Sequence, residues 1–321
     1  MTTSFRPVGA TNKRPYSAIV SVEVHFSDGS GLRGTGAVVG ANDVLTAAHL
    51  LRPPGDGVTV AEIELTPGLN DGVAPYGKHT ASRWRCEAVD ADGDRMLSQA
   101  DVARDFALLT VDGPPIAEAT GMFALSADAG QPGRSLKLSS AGYPAGLQMD
   151  PNALDLYRTD GYEYFDGKVI RHNLRDETRK DWSGASGAPF WIEEDRPDGE
   201  STPMIVGLLS TGNWASYITA IVADQLEGWI AENDPRELIG TDRRDALDGG
   251  FGDDVIFGLD GGDKLSGKEG ADFLRGGGGK DTLFGGSGDD VLRGGRGADG
   301  ISGNAGTDIL KGGNGRDVIN G

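Results

Sequence analysis

The 321-residue chain carries 49 acidic against 30 basic residues, a net charge of −19, with 37% hydrophobic residues. Such a chain can bury one large core or two ordinary ones, and its charge offers no positive footprint for nucleic acid or an anionic membrane. No apolar run approaches the ~20 residues of a membrane span, Met1–Arg14 lacks an apolar stretch of signal-peptide length, and Cys86 is the single cysteine, which excludes an internal disulfide and a cysteine-based metal site.

Strand-like runs recur between turn clusters at Ala18–Phe26, Gly36–Val39, Val58–Leu65, Phe106–Val111, Ser135–Leu138 and Met204–Leu209. Ser27–Gly31 reads as a hairpin loop between the first two. Only Ile221–Asn233 shows helical spacing of apolar residues, at Ile221, Val222, Leu226, Trp229 and Ile230. Asp234-Pro235 ends it, because a residue before proline disfavours the helical region. Short strands with one late helix favour a barrel or sandwich over a doubly wound sheet.

Three stretches of this region carry chemistry. In Asn42–His49 a strand delivers a histidine flanked by small residues, one of only four histidines in the chain. Asp105 stands at the mouth of the apolar strand Phe106–Val111; taken alone, it reads as a turn or strand-start residue. Ser183-Gly184-Ala185-Ser186-Gly187-Ala188-Pro189 places serines among small residues just before the apolar run Pro189–Ile192. Serine becomes a nucleophile when an imidazole takes its proton, and an aspartate on the other ring nitrogen holds the required tautomer.

Their order, His then Asp then Ser, resembles the trypsin/chymotrypsin superfamily of serine peptidases. Thr46-Ala47-Ala48-His49 matches the family's T-A-A-H block, Asp105-x-Ala-Leu-Leu its D-x-A-L-L block, and Gly184-x-Ser186-Gly187-x-Pro189 its G-x-S-G-x-P block. The resemblance implies two six-stranded β-barrels with the site between them and a C-terminal helix. It implies His49 as general base, Asp105 as its orienting acid and Ser186 as nucleophile, with the amides of Gly184 and Ser186 as oxyanion hole. No cofactor is implied for catalysis. Ala185 stands where digestive members carry an aspartate, and the chain looks more like the bacterial, disulfide-free branch that includes glutamyl endopeptidases. Those relatives place a histidine in the pocket strand, whereas Val206–Gly212 has none. Lys180, at a pocket-base position, reads either as a recogniser of acidic side chains or as a solvated lysine beside Arg179 and Asp181.

Of 52 glycines, 26 fall between Gly240 and Gly321. Read in nines from Gly240, the first position is glycine, the sixth aspartate and the eighth Leu or Ile in all nine units; the fourth is glycine except at Arg243. Six glycine-rich residues are expected to turn tightly, and the last three to form a short strand with the eighth side chain inward. Two units make one coil, so units n and n+2 stack and bring aspartates and carbonyl oxygens together. An oxygen-only, carboxylate-rich donor set suits calcium. The pattern resembles the RTX (repeat-in-toxin) calcium-binding β-roll, motif G-G-x-G-x-D-x-apolar-x. It implies several Ca2+ ions held by Asp245, Asp254, Asp263, Asp272, Asp281, Asp290, Asp299, Asp308 and Asp317. It also implies secretion to the extracellular space through a type I machinery, which needs no N-terminal signal.

The expected organisation is all-β: a double six-stranded β-barrel peptidase domain with a C-terminal helix over 1–233, a linker over 234–239, and a parallel β-roll over 240–321. The expected activity is endopeptidase hydrolysis of protein or peptide substrates, with no nucleic-acid partner and no membrane span. The alternative is an inactive peptidase-like protein that binds in a calcium-dependent way.

Overall fold

The computed structural model describes residues 6–86, 98–126, 135–144, 156–165, 169–171, 185–195, 201–210, 214–233 and 236–321. The chain divides into two compact units, Met1–Glu227 and Gly228–Gly321.

In the first unit, Ile19–Phe26, Gly31–Val38, Asp43–Thr46, Ala107–Val111, His79–Cys86 and Val60–Pro67 form a closed barrel in that order. Alternate residues of Ile19–Phe26 and those laddered onto the same face fill it: Val20, Val22, Val24, Ile63, Leu65, Val44 and Leu109 are all buried. The hairpin over Ser27–Gly31 is present, and its second strand begins at Gly31, five residues before the expected Gly36. The ladder with Ile19–Phe26 extends the pairing beyond the apolar part of that strand, which is all that periodicity can show.

A second set of strands closes on itself among the described residues. Ser135–Gly142 pairs with Tyr157–Phe165, which continues through Val169–Arg171, Trp214–Tyr217, Ser201–Leu209 and Pro189–Asp195 back to Ser135–Gly142. Its core holds Leu138, Ala185, Ala188, Phe190, Val206, Leu209, Ala215 and Tyr217. The helix Ala220–Asn233 follows, anchored by buried Ala223 and Leu226. Among the described residues no helix is long and apolar enough to cross a membrane.

In the second unit, two five-stranded parallel sheets stack residues eighteen apart, Ile256 on Leu274 and Leu265 on Leu283. Ile256, Leu265, Leu274, Leu283, Leu292 and Ile301 are at most 2% exposed and form one internal column. Towards the ends Leu247 and Leu310 are only partly covered and Ile319 is 47% exposed, because an end coil has a neighbour on one side only. One expectation is corrected: the inner strands span six residues, as in Phe273–Gly278, rather than three. The first three positions of the next unit continue the ladder, Leu259 pairing with Gly277 and Asp260 with Gly278, so the turn is confined to positions four to six. Backbone hydrogen bonding extends the strand where side-chain alternation gives no signal.

Truncation in the middle of this column should be costly, because Leu274 packs between Ile256 and Leu292 of the adjacent coils. Leu274→Ala is expected to destabilise the roll by about 2–5 kcal/mol in saturating calcium. Urea unfolding followed on the repeat segment checks this; a loss below about 1 kcal/mol would mean that the column is not close-packed.

Candidate functional site

The strand Asp43–Thr46 leads into a single turn of 3-10 helix, Ala48–Leu51, which carries His49. Asp105 lies just ahead of Ala107–Val111, the strand antiparallel to Asp43–Thr46, so the ladder brings the two residues together. His49 Nδ1 lies 2.7 Å from Asp105 Oδ2, and the His49 amide donates to Oδ1 at 2.8 Å. The carboxylate is completely buried and the imidazole is 20% exposed. A carboxylate on Nδ1 selects the tautomer with its proton there and leaves Nε2 free to accept a proton.

Ser210 Oγ donates a further hydrogen bond to Asp105 Oδ2. A buried carboxylate without partners would be costly, and here three donors satisfy its oxygens. Sequence reading did not single out Ser210. Its one signal is a lone hydroxyl ending the apolar run Ile205–Leu209, and nothing local shows that it reaches Asp105.

Ser186 sits in a tight turn held from both barrels. Its carbonyl accepts from Thr35 N at 2.7 Å, the Gly187 amide donates to Leu209 O at 2.7 Å, and Leu209 N donates to Ala188 O at 2.8 Å. Gly187 has φ +84°, and a Cβ there would lie 2.1 Å from Thr35 O, so only glycine fits this turn. Among the described residues the Ser186 amide donates to no carbonyl. Its Oγ lies 3.4 Å from Ser210 O rather than in a bond to the His49 ring. Such bonds commonly tighten only when substrate is present. Gly184 and Lys180 lie outside the described residues. Cys86 is an exposed thiol at the end of His79–Cys86.

The repeat aspartates line the turns of the roll. From Asp263 onward each Oδ1 accepts the backbone amide of the aspartate one coil earlier, as in Asp254 N to Asp272 Oδ1 at 2.7 Å and Asp272 N to Asp290 Oδ1 at 2.8 Å, whereas Asp254 Oδ1 accepts from Arg236 N. The second oxygens of Asp263, Asp272, Asp281, Asp290 and Asp299 are buried without a hydrogen-bond partner. Beside each stands a backbone carbonyl: a Cβ placed on Gly258 would meet Asp263 Oδ2 at 2.5 Å and Gly276 O at 2.6 Å. This cradle of orphaned carboxylate and carbonyl oxygens fits Ca2+. No three His, Cys, Asp or Glu side chains converge among the described residues, so carbonyls must complete the donor set. The first two turns differ, since Asp245 Oδ2 accepts from Thr241 N and Asp254 Oδ2 from Gly250 N, each at 2.6 Å.

Burial raises the Asp272 carboxyl to about 7 and that of Asp290 to about 6, with neighbouring aspartates adding to the shift against the amide hydrogen bond. Asp263 and Asp281 are raised for the same leading reason.

The sequence pattern of the RTX calcium-binding nonapeptide repeat matches residues 239–274, 266–301 and 302–321. Among solved structures, a Glu endopeptidase superposes with TM-score 0.54 at 19% identity, covering 71% of this chain and 96% of that one. The protease Anisep from Arthrobacter nicotinovorans (22% identity, TM-score 0.49, 68% of this chain and 98% of that one) and the thermostable serine protease AL20 from an extremophilic microorganism (18%, 0.49, 65% and 94%) are also similar. No curated protein sequence matches the chain. The first unit thus has the double-barrel fold of trypsin-like serine proteases. The C-terminal segment is built of RTX calcium-binding repeats, which makes the chain a fusion of the two.

Because these aspartates hold protons in the metal-free roll that the unfolded chain has already released, metal-free stability should rise as pH falls from about 7 towards 4. In chelator, hydrogen-exchange protection of the Ile256–Ile301 amides, corrected for intrinsic rates, is expected to be greater near pH 5.5 than near pH 8. With calcium the order should reverse, since protons compete with the cation for the same oxygens. Equal protection at both pH values in chelator would contradict the raised carboxyls.

Proposed function

We propose that the chain is a secreted serine endopeptidase, with a peptidase domain over 1–233, a connector over 234–239 and a calcium-stabilised roll over 240–321. The observation that carries this reading is the fully buried Asp105 carboxylate bonded to both the amide and Nδ1 of His49. The ring is thereby presented as a base on the side away from the acid. Ser186, in a turn that requires Gly187 and with an amide that donates to no carbonyl among the described residues, supports the role of nucleophile.

In the proposed reaction Ser186 Oγ attacks the carbonyl carbon of the scissile peptide while its proton passes to His49 Nε2. Asp105 stabilises the imidazolium and does not itself take the proton. The tetrahedral oxyanion accepts from the Ser186 amide and, as the resemblance implies, that of Gly184; each such donor contributes roughly 3–4 kcal/mol. The imidazolium protonates the departing amine, and water then hydrolyses the acyl-enzyme by the same route in reverse. Lys180 is the proposed contact for an acidic side chain of the substrate.

The sixth-position aspartates, with the first-position carbonyls, would hold calcium in the turns; bound there, the cation neutralises the stacked carboxylates. Without it, like charges along both edges oppose a core of single aliphatic columns and the entropy of ordering many glycines, ~1–2 kcal/mol per residue. A cation at about 100 times its dissociation constant adds roughly 2.7 kcal/mol per site. Folding outside a calcium-poor cytosol suits an exported chain.

Two measurements test the two halves. Ser186→Ala should lower peptide hydrolysis by about 10⁶-fold and abolish fluorophosphonate labelling while calcium uptake is unchanged. Unaltered turnover in that variant, or a wild-type chain that neither hydrolyses nor labels, would refute the peptidase reading. At pH 8, circular dichroism of residues 234–321 should gain β signal on addition of calcium, whereas residues 1–233 should keep theirs in chelator; a fully formed repeat signal in chelator at that pH would refute calcium-driven folding.

A further inference from the structure

The outer face of one roll sheet is built differently from the other. In the sheet of Glu237–Ile239, Val255–Asp260, Phe273–Gly278, Val291–Arg296 and Ile309–Asn314, stacking at eighteen residues sorts side chains into rows. The ninth repeat position contributes Phe257, Arg275, Arg293 and Lys311. The second contributes Leu259, Gly277, Gly295 and Gly313, and the third Asp260, Gly278, Arg296 and Asn314. The glycine row has no side chains, so it makes the floor of a trough between the two flanking rows. A solvent-open space of about 890 Å³ occupies one end of it, with Phe257, Leu259, Arg275, Arg296, Asp242 and Asp260 in its walls.

Three observations point to a ligand. Arg275, Arg293, Arg296 and Lys311 are all exposed, and among the described residues none forms an ion pair, although the chain as a whole is strongly acidic. Arg293 lies over the Phe273 ring at 5.3 Å, and Phe273 packs 6.0 Å from Phe257, which pre-places a guanidinium beside an aromatic wall. Leu259 is 42% exposed at φ +76°, where the next coils use glycine, so an apolar side chain is held in the left-handed region at the trough's end. The other sheet's ninth-position row is Asp248, Ser266, Phe284, Ser302 and Asn320, without a cation. The cationic row is therefore not a by-product of the repeat.

We propose that this trough binds an acidic oligosaccharide, a chain of uronic-acid units lying along the roll axis. Cations recurring once per coil, ~4.8 Å apart, meet carboxylates recurring along a polymer, and guanidinium groups grip carboxylates bidentately. Phe257 and Leu259 offer apolar surface to the hydrocarbon face of a sugar ring. Asp242 and Asp260 accept hydrogen bonds from sugar hydroxyls, which neither a DNA phosphodiester backbone nor a phosphatidylserine headgroup presents. A peptide strand would pair at a sheet edge, whereas this is a sheet face whose backbone groups are committed to the ladder. The assignment concerns the roll alone and is independent of the catalytic reading.

The test is calorimetric titration of the full chain with trigalacturonate and with trimannuronate, at free calcium clamped by a buffer because uronates also bind calcium. Binding of at least one is expected. Arg275→Gln/Arg293→Gln should weaken it by about tenfold or more, since each charge-assisted contact is worth that much. Arg296→Lys, which keeps the charge but loses the fork, should weaken it less, and Lys264→Gln on the other sheet should leave it unchanged. Circular dichroism in calcium confirms that each variant is folded, and Arg296→Lys serves if the double variant is not. No binding of either trisaccharide at millimolar concentration, equal affinity in the folded arginine variants, or equally tight binding of polyglutamate or phosphatidylserine vesicles would overturn the proposal.

Discussion

A carboxylate taken out of water must find donors or a cation, and both halves of this protein are organised around that requirement. Asp105 meets it with protein groups: the His49 amide, the His49 ring and the Ser210 hydroxyl surround a fully buried carboxylate. The roll meets it only halfway. Each central aspartate receives one amide from the previous coil and keeps a second oxygen buried and unpartnered. The first arrangement is complete within the chain and holds a ring in one orientation. The second is complete only with an added positive charge, and so links folding to the surroundings.

Glycine enters both solutions for the same steric reason. At Gly187 a side chain would strike the Thr35 carbonyl and push the nucleophile turn away from the first barrel. At the first repeat position a Cβ would enter the space beside the unpartnered carboxylate oxygen, as on Gly267 against Asp272 Oδ2 at 1.9 Å. The backbone is thus kept bare where another group must approach. Leu259 departs from this economy at a position where Gly277 and Gly295 follow it, as Lys268 and Asn304 do at the same repeat position on the other sheet.

The repeat region was legible to an unusual depth because its interactions are periodic. Glycine, aspartate and aliphatic residues nine apart imply a coil of eighteen, and the ladder of Ile256 on Leu274 on Leu292 follows that count. What the period did not show was strand length, because glycines in the first positions carry no alternation and pair only through their backbone. In the barrels, apolar runs located Ile19–Phe26, Ala107–Val111 and the distal part of Ser201–Leu209. Strands such as His79–Cys86, with charged and exposed members, gave no comparable signal, since their place depends on ladder partners far away in the chain.

By itself the sequence determined the class of each half, the order of His49, Asp105 and Ser186, and the identity of the repeat aspartates. These follow from residue types at short or regular spacing, where chemistry is local. Only the tertiary structure decided that Ser210, 105 residues away, closes the shell around Asp105, and that Thr35 ties down the Ser186 turn from the other barrel. It alone sorted the variable repeat positions into an acidic end, a glycine floor and a cationic wall. Those groupings depend on which strands lie side by side, and that is a property of the closed barrels and stacked coils rather than of any neighbouring residues in the chain.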